Sequence, residues 1–409
     1  MDEPLPEGVQ MTALDPVYRQ DPYPRLKALQ THAPVRRDQL FGVVTLTRYE
    51  DVRAVLTDRT LWRDPLRADP KYPTRTRREM EIAENGGVRT QSILTMDDPD
   101  HGRIRGQITP VLYKRFAASR GLVEDVVRRR VDALRGQAAF DVVPAFAVPI
   151  PIEVISRVLG VDEERLEEFR AWSEAIIHVL NPMRTPQQTL EMRAAGDASS
   201  AYLQALMEER RARPREDLIS DLMRLQAESR NLTDEEIRIN CNTLLIAGNL
   251  TTTDVIGAGV RLLISNPEER RKLLEKPERI AGAVEEILRF DPPVDSTARI
   301  ASRPMEIRGC PVAAAEPLSP SLRAANRDPQ VFEDPDRFDI TRERSPHVSF
   351  GGGAHICLGA PLARIEAQAA LLALFQAFPN LRLGATPPTW RSLPFFRGLE
   401  SLAVENPDA

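Results

Sequence analysis

The sequence predicts a mainly α-helical protein with a small β component, folded as one domain over residues 1–409. Three observations predict this class. Apolar residues recur at helical spacing through most of the chain, whereas β-like runs are few and short. Hydrophobic residues make up 42% and charged residues 28% of the 409 residues, as in ordinary globular proteins. No shift in composition marks a domain boundary.

The first region of the chain carries short β-like runs. Residues 42–47 are β-like, and a helical pattern follows at 49–56. Residues 60–96 are rich in Arg, Pro and Gly and predict a long irregular segment. Such a segment is either a functional lid or a solvated connection. Its Arg-rich part, 63–78, is expected to be a solvated loop rather than a site for an acidic substrate.

The rest of the chain is strongly helical. Apolar spacing predicts helices over residues 100–112, 121–135, 152–159, 162–181, 186–213, 267–274, 280–290 and 359–378. A capping box, Thr233 with Glu236, opens a further helix that runs to about residue 265. Its uncharged centre, 241–253, predicts burial on all sides.

The remaining segments predict little strand. Residues 292–338 are irregular, with a strand candidate at 301–307. Pro317 and Pro320 predict an irregular or edge segment at 313–321, because proline lacks the N–H that a ladder needs. The tail after residue 378 is expected to be poor in β-structure.

Charge and composition exclude several functions. The net charge of −5 gives no basic face for nucleic acid, and 50 of the 55 basic residues are Arg, which we attribute to codon bias. The start of the chain lacks a basic and apolar leader, and the uncharged stretch 345–363 contains too much Gly and Pro to span a membrane. We therefore expect a cytoplasmic protein. Three cysteines cannot form a disulfide scaffold.

One cysteine lies in a distinctive setting. The segment 350–359 is a glycine-rich loop in which Cys357 stands just before a predicted helix. Backbone N–H groups and a helix N-terminus aimed at the sulfur favour thiolate over thiol. With no second cysteine nearby, that thiolate suits one axial bond to a metal better than a four-ligand zinc site. Cys241 and Cys310 are expected to be buried thiols without a ligand role.

The spacing of this loop resembles the haem-binding signature of the cytochrome P450 family. The matching residues are Phe350, Gly353, Cys357 and Gly359. Upstream, Glu286 and Arg289 resemble the family's E-x-x-R motif, and segments 325–329 and 336–338 resemble the region that receives this Arg. We interpret Glu286 and Arg289 as structural residues rather than catalytic ones.

The long predicted helix resembles the family's oxygen-binding segment. The resemblance assigns Gly248, Thr251 and Thr252 to catalysis, with Thr251 helping to activate oxygen and to pass protons. The family's acidic position is Leu250 here, and an apolar side chain cannot carry a proton. Asp254, or Asn249 with ordered water, is expected to substitute.

Four basic residues match the family's partners of the haem propionates. His101 and Arg105 share a helix face at i, i+4, and Arg299 and His355 complete the set. His347 is assigned at most to support of the loop. By family position, a mostly apolar substrate pocket is lined by Ile93, Leu244, Leu245, Val294, Asp295 and Phe395.

The resemblance covers nearly the whole chain and implies a triangular prism of helices with a small β region around buried haem b (iron protoporphyrin IX). It implies a monomeric monooxygenase that inserts one oxygen atom of O₂ into a small lipophilic molecule. Electrons would come from a separate ferredoxin with its NAD(P)H reductase, docked near Arg103 and Arg364. Leu250 leaves two alternatives open: a haem-thiolate enzyme that uses peroxide or no oxidant, and a non-catalytic haem-binding protein.

Overall fold

A computed structural model describes residues 5–87, 89–181, 183–229 and 231–409. Its contacts divide the chain into two compact units. The first unit comprises Met1–Asp97, Glu285–Cys357 and Trp390–Arg397, and the second comprises Asp98–Val284, Leu358–Thr389 and Gly398–Ala409. The single domain over 1–409 therefore stays a prediction. The first four residues of the chain and Pro182, in the turn after the 162–181 helix, lie outside the described residues.

The fold is mainly helical, as the sequence predicts. The α-helices are α1 Pro16–Gln20, α2 Tyr23–His32, α3 Tyr49–Thr57, α4 Pro73–Glu84, α5 Asp100–Ala118, α6 Arg120–Leu134, α7 Pro149–Leu159, α8 Leu166–Ile176, α9 Pro186–Ala212, α10 Leu218–Ser229, α11 Asp234–Ser265, α12 Pro267–Glu275, α13 Ile280–Phe290, α14 Leu322–Ala325 and α15 Ala360–Ala377. Among the described residues, no helix is long and apolar enough to cross a bilayer.

The strands are short. They are β1 Val35–Asp38, β2 Val43–Leu46, β3 Ala139–Asp141, β4 Arg299–Ile300, β5 Met305–Ile307, β6 Cys310–Val312, β7 Pro317–Pro320, β8 Arg382–Leu383, β9 Thr389–Trp390, β10 Leu399–Ser401 and β11 Ala403–Glu405. The expectation of a β-poor tail was wrong, because β11 pairs with both β3 and β8 in a three-stranded antiparallel sheet.

A four-stranded sheet in the order β1-β2-β7-β4 lies in the first unit. Strand β7 pairs with β2 in parallel and with β4 in antiparallel orientation, so the prediction of an irregular or edge segment at 313–321 was wrong. The two prolines occupy the first and last positions of β7. Leu318 and Ser319, between them, keep their N–H donors, so a four-residue strand tolerates both prolines.

Helix α11 is the longest element of the second unit and packs against α7, α9 and α15. The predicted capping box is confirmed: Thr233 Oγ1 accepts from the Glu236 N–H at 3.1 Å, and Glu236 Oε2 accepts from the Thr233 N–H at 2.8 Å. Several helices differ from the sequence prediction. Helix α4 lies within the segment 60–96 that was expected to be irregular, and α1, α2, α10 and α14 were not predicted.

Candidate functional site

The cysteine loop of the first unit is a tight turn that presents Cys357. The Cys357 N–H donates to the Phe350 carbonyl at 2.9 Å, and the side chain of Cys357 is exposed. Gly353 has φ +65°, and a Cβ there would stand 2.5 Å from the Leu56 carbonyl oxygen, so only glycine fits this approach to α3. The chain then passes Gly359 and enters α15, which agrees with the predicted position of the sulfur before a helix.

Side chains hold the start of this loop in place. Asn326 Oδ1 accepts from the Val348 N–H at 2.8 Å, and Asn326 Nδ2 donates to Ser349 Oγ at 2.7 Å. Ser349 Oγ in turn donates to the Leu288 carbonyl at 2.7 Å. His347 Nε2 lies 3.1 Å from Glu285 Oε2, which agrees with a supporting role for this histidine. The loop is therefore fixed to α13 and to the segment after α14.

The E-x-x-R pair is a buried structural ion pair. Arg289 donates to both carboxylate oxygens of Glu286 at 2.7 Å, and the two residues are 0% and 1% exposed. The Arg289 guanidinium also donates to the carbonyls of Asn326, Pro335 and Arg337 at 3.0–3.2 Å. The predicted partner segments therefore receive this Arg, as the sequence indicated.

A second buried cluster in the first unit carries excess positive charge. Arg299 is 3% exposed and donates to the carbonyls of Ala298 and Leu56. Burial and the neighbouring Arg63 guanidinium lower the pKa of Arg299 to about 9. Asp97 partly offsets this charge. Within the described residues, no carboxylate lies within ion-pair distance of either guanidinium. Such a donor set fits an anion such as a haem propionate.

The first two predicted propionate partners lie in the second unit. His101, on α5, is 3% exposed, and its Nδ1 lies 3.9 Å from Asp98 Oδ1. Arg105 follows one turn later on the same face and is half-buried. Arg103 is different: it is exposed and donates to Asp100 and Glu236. His355, the fourth predicted partner, is half-buried in the cysteine loop of the first unit.

One face of α11 is open, so the predicted burial on all sides was wrong. Leu244, Ala247, Gly248 and Thr251 lie at helical spacing and are accessible. A Cβ at Gly248 would meet only Ile155 Cγ1, at 3.9 Å, so packing of the described protein does not require glycine there. Thr251 Oγ1 donates to the Ala247 carbonyl at 2.8 Å, the back-bond expected of a hydroxyl in mid-helix.

The rest of α11 around Thr251 is buried and polar. Asn249 Nδ2 donates to Ser173 Oγ on α8 at 3.2 Å. Asp254 is 3% exposed and packs so closely on Gly398 that a Cβ there would lie 1.8 Å from its Oδ1. Thr252 is 2% exposed, and its side chain lies beside the carboxyl of Glu366 on α15. Asn249 and Asp254, the expected substitutes for the missing acid, therefore turn toward other elements.

The predicted pocket residues have different surroundings. In the first unit, the Asp295 N–H donates to the Phe395 carbonyl at 2.8 Å, and Val294 forms an isolated antiparallel β-bridge with Phe396. The Asp295 carboxylate pairs with the buried Arg323 guanidinium at 2.5 Å. Within the second unit, Leu245 is 0% exposed. Asp295 and Leu245 are therefore buried, and their assignment to the pocket lining stays a prediction.

Of the other two assigned residues, Ile93 is also buried and only Leu244 is accessible. Ile93 is 6% exposed, whereas Leu244 lies on the open face of α11.

Two residues that the sequence did not single out belong to these clusters. Arg63 was read as part of a solvated loop, but its Nη1 donates to Thr297 Oγ1 at 2.9 Å beside Arg299. Glu366 was passed over in an apolar helix, yet it is 2% exposed. An acid flanked by apolar residues at 362, 367, 370 and 371 was the available signal for Glu366. No local pattern distinguishes Arg63 from its neighbouring arginines.

Comparisons with known proteins agree with this geometry. The family model for cytochrome P450 matches residues 36–389. The biotin biosynthesis cytochrome P450 of Bacillus subtilis is 36% identical over 364 residues, which cover 88% of this chain and 89% of that protein. The 6-deoxyerythronolide B hydroxylase of Saccharopolyspora erythraea is 35% identical over 393 residues, with coverage of 94% and 96%.

Solved structures show the same fold. P450BioI in complex with acyl carrier protein that bears hexadec-9Z-enoic acid superposes with a TM-score of 0.86 at 33% identity, covering 95% of this chain and 100% of that one. The Bacillus subtilis polyketide synthase cytochrome P450 PksS gives a TM-score of 0.87 at 30% identity, with coverage of 96% and 99%. The chain therefore belongs to the cytochrome P450 family of monooxygenases, whose members bind haem b through a cysteine thiolate.

Proposed function

We propose that Cys357 is the thiolate ligand in a monooxygenase that takes electrons from a separate ferredoxin and oxidises a lipophilic small molecule. The observation that carries the ligand assignment is the setting of the three cysteines. Cys241 is 1% exposed, and burial raises its pKa to about 12, which disfavours a thiolate. Cys310 starts β6 and is half-buried. Cys357 is exposed, in a glycine turn directly before α15.

Haem would be anchored by basic side chains, of which His101 and Arg299 are buried and Arg105 and His355 half-buried. His101, Arg105, Arg299 and His355 are proposed to bind its propionates, and Arg63 joins them because it lies beside Arg299. The glycines of the cysteine loop allow close approach of the backbone. When bound, haem supplies the oxygen chemistry, while the protein positions the substrate and controls water and protons.

The open face of α11 is proposed to form the reaction side. Leu244, Ala247 and Gly248 are small or apolar, so they exclude water and admit a substrate. Thr251 is the hydroxyl on this face. We expect Thr251→Ala to lower the product formed per NADH.

The substrate class is proposed from the surface chemistry and from relatives. Relatives include a hydroxylase of 6-deoxyerythronolide B and a mycinamicin IV hydroxylase/epoxidase, and one solved neighbour holds a fatty acyl chain on its carrier protein. A bulky lipophilic biosynthetic intermediate therefore fits this chain. A panel of macrolactones, fatty acids and acyl carrier proteins, scored by the low-to-high-spin shift, tests this class.

The electron donor is proposed to be a ferredoxin with an NAD(P)H reductase. Arg103, one of the two expected docking residues, is already neutralised by Asp100 and Glu236. Arg364 is the other expected docking residue. Changing Arg364 to Ala should raise the KM for ferredoxin at low salt and leave the haem spectrum unchanged.

A reduced carbon monoxide difference spectrum tests the ligand assignment. Wild type and Cys310→Ser should both give the red-shifted Soret band of thiolate ligation, and Cys357→Ser should lose it. A band at the histidine-ligated position in wild type would overturn the assignment. Turnover with NADH and the redox pair then separates a monooxygenase from an enzyme that works only with peroxide, the alternative that Leu250 raises.

A further inference from the structure

One histidine of the first unit, His347, makes two polar contacts that the proposed haem site does not explain. Its side chain is 3% exposed and reaches α13. Nδ1 lies 3.3 Å from the Ser349 nitrogen, and Nε2 lies 3.1 Å from Glu285 Oε2. The ring also packs on that of Phe350, with the two centroids 6.0 Å apart. All four residues belong to the first unit.

The two polar contacts together fix the proton of the His347 ring. A backbone N–H can only donate, so Nδ1 accepts from Ser349 and carries no proton of its own. A carboxylate can only accept, so Nε2 carries the ring proton and donates it to Glu285. Rotating the ring by half a turn would place carbon atoms at both contacts. One species therefore satisfies the arrangement, the neutral Nε2–H tautomer.

The Ser349 N–H needs this acceptor because Ser349 is buried. The residue is 7% exposed, and its hydroxyl is already engaged with other groups. That hydroxyl donates to the Leu288 carbonyl at 2.7 Å and accepts from Asn326 Nδ2 at 2.7 Å. Loss of the imidazole would leave the buried N–H without its acceptor, which costs more than the loss of an exposed hydrogen bond.

Ser349 connects His347 to the cysteine through one further residue. The carbonyl of Phe350, the next residue, accepts the Cys357 N–H at 2.9 Å. Ser349 and Phe350 are joined by one rigid peptide unit, so their backbone atoms move together. A shift of the Ser349 backbone would therefore move the Phe350 carbonyl and weaken the hydrogen bond that holds Cys357.

We propose that His347, held as its Nε2–H tautomer by Glu285, is a positioning residue for the thiolate ligand. It acts through Ser349, whose N–H it accepts, and thereby fixes the Phe350 carbonyl that binds the Cys357 backbone. This assignment rests on the proposed role of Cys357 as the ligand. The loop requires an acceptor at Nδ1 and a proton at Nε2, rather than a ring of this size.

Three substitutions separate the two ring nitrogens from the ring itself. His347→Asn keeps an acceptor near the position of Nδ1, His347→Gln keeps a donor near that of Nε2, and His347→Phe keeps only a ring. The rate at which the reduced carbon monoxide complex loses its thiolate Soret band in mild urea is measured. His347→Gln and His347→Phe should lose it about 3- to 10-fold faster than wild type, as expected for one lost hydrogen bond. His347→Asn should stay within about twofold of wild type.

Two further variants complete the comparison. His32→Gln, which changes an exposed histidine on α2 of the same unit, is the matched control and should behave as wild type. Glu285→Leu should accelerate the loss less than His347→Gln, because the ring proton can then occupy either nitrogen. The double variant should lose the band no faster than His347→Gln alone, because both residues act in one path. Equal rates for His347→Asn and His347→Gln, or additive effects in the double variant, would overturn the proposal.

¹⁵N NMR of histidine-labelled protein, as the diamagnetic ferrous carbon monoxide complex, tests the tautomer in wild type itself. At pH 7 one pair of ring resonances should show a protonated Nε2 and an unprotonated Nδ1. That pair should be absent from His347→Asn and from His347→Gln. A proton on Nδ1 of His347, or on both nitrogens, would overturn the proposal. A wild type that lacks the thiolate band would instead refute the assignment of Cys357 as ligand.

Discussion

Two buried glutamates, one in each compact unit, have opposite surroundings. Glu286 is 1% exposed, and Arg289 donates to both of its carboxylate oxygens. It also accepts the Asp339 N–H at 3.0 Å. Glu366 is 2% exposed, its Oε1 has no hydrogen-bond partner among the described residues, and the Thr252 side chain lies beside it. Accessible surface alone does not distinguish the two residues.

The difference shows what each carboxyl can do. A buried ion pair stays charged and hydrogen-bonds the backbone groups around it. Glu286 and Arg289 therefore hold the segment after α14 in place. An unmatched buried carboxyl stays neutral and therefore holds a proton that it can give away. A buried carboxyl with cationic partners therefore indicates a structural role. A buried carboxyl without such partners indicates a role in proton chemistry.

The largest effect is expected from breaking the matched pair. Glu286→Gln leaves the Arg289 guanidinium buried without a counter-charge, so the free energy of unfolding should fall by about 3–5 kcal/mol. Urea unfolding of the haem-loaded protein measures this. The matched control is Glu268→Gln, whose i, i+3 partner Arg271 is exposed; its cost should stay below about 1 kcal/mol. If both variants lost the same free energy of unfolding, Glu286 would have no special structural role.

The next effect concerns Arg299, a buried cation that has no carboxylate within ion-pair distance among the described residues. Arg299→Leu removes a charge that haem propionates would neutralise, so haem should dissociate about 10- to 100-fold faster, from the loss of one charged hydrogen bond of about 1.5–3 kcal/mol. Transfer of haem to apomyoglobin measures the rate.

Two comparisons sharpen that result. The haem-free Arg299→Leu protein should be no less stable than haem-free wild type, since the buried cation brings a desolvation cost. Arg303→Leu, an exposed neighbour on the same segment, should lose haem at the wild-type rate. A large loss of stability in the haem-free Arg299→Leu protein would mean that Arg299 is structural.

A smaller effect is expected from Glu366→Gln at pH 7. The substitution replaces a neutral carboxyl by a neutral amide of the same shape, so the free energy of unfolding should change by less than about 1 kcal/mol. The same substitution at Glu286 is predicted to cost several times more. Thermal unfolding of both variants, with haem content checked, makes the comparison. A loss above about 3 kcal/mol in Glu366→Gln would mean that this carboxyl is ionised and matched.

Local sequence signals predicted much of the fold and part of the site. The capping box at Thr233 and the glycine spacing around Cys357 act within one turn of chain, and both appear in the structure as expected. Pro317 and Pro320 misled the strand prediction because β7 is completed by β2 and β4, which lie far away in sequence. Helix α10 was missed although its residues 218–229 have amphipathic spacing.

The unpredicted site residues depend on tertiary packing. Glu366 becomes a lone buried acid only because α15 places it against Thr252. Arg63 differs from the other arginines of its segment because it meets Thr297 and Ala298. The open and buried faces of α11 within 241–253 both lack charged residues, so periodicity alone cannot separate them.

The pH dependence of unfolding tests the contrast between the two carboxyls most directly. Burial raises the folded-state pKa of Glu366 above the ordinary value of 4.5, so the folded state binds more protons than the unfolded chain at higher pH. Stability from this residue is complete below that value and falls as the pH rises toward the folded pKa, by at most about 1.4 kcal/mol per pH unit.

Urea midpoints of wild type, Glu366→Gln and Glu268→Gln should be compared at pH 6 and pH 8. We predict that wild type and Glu268→Gln lose stability between the two values, and that Glu366→Gln loses less. The same pH dependence in all three proteins would show that Glu366 is already ionised in the folded state, and would contradict its contrast with Glu286.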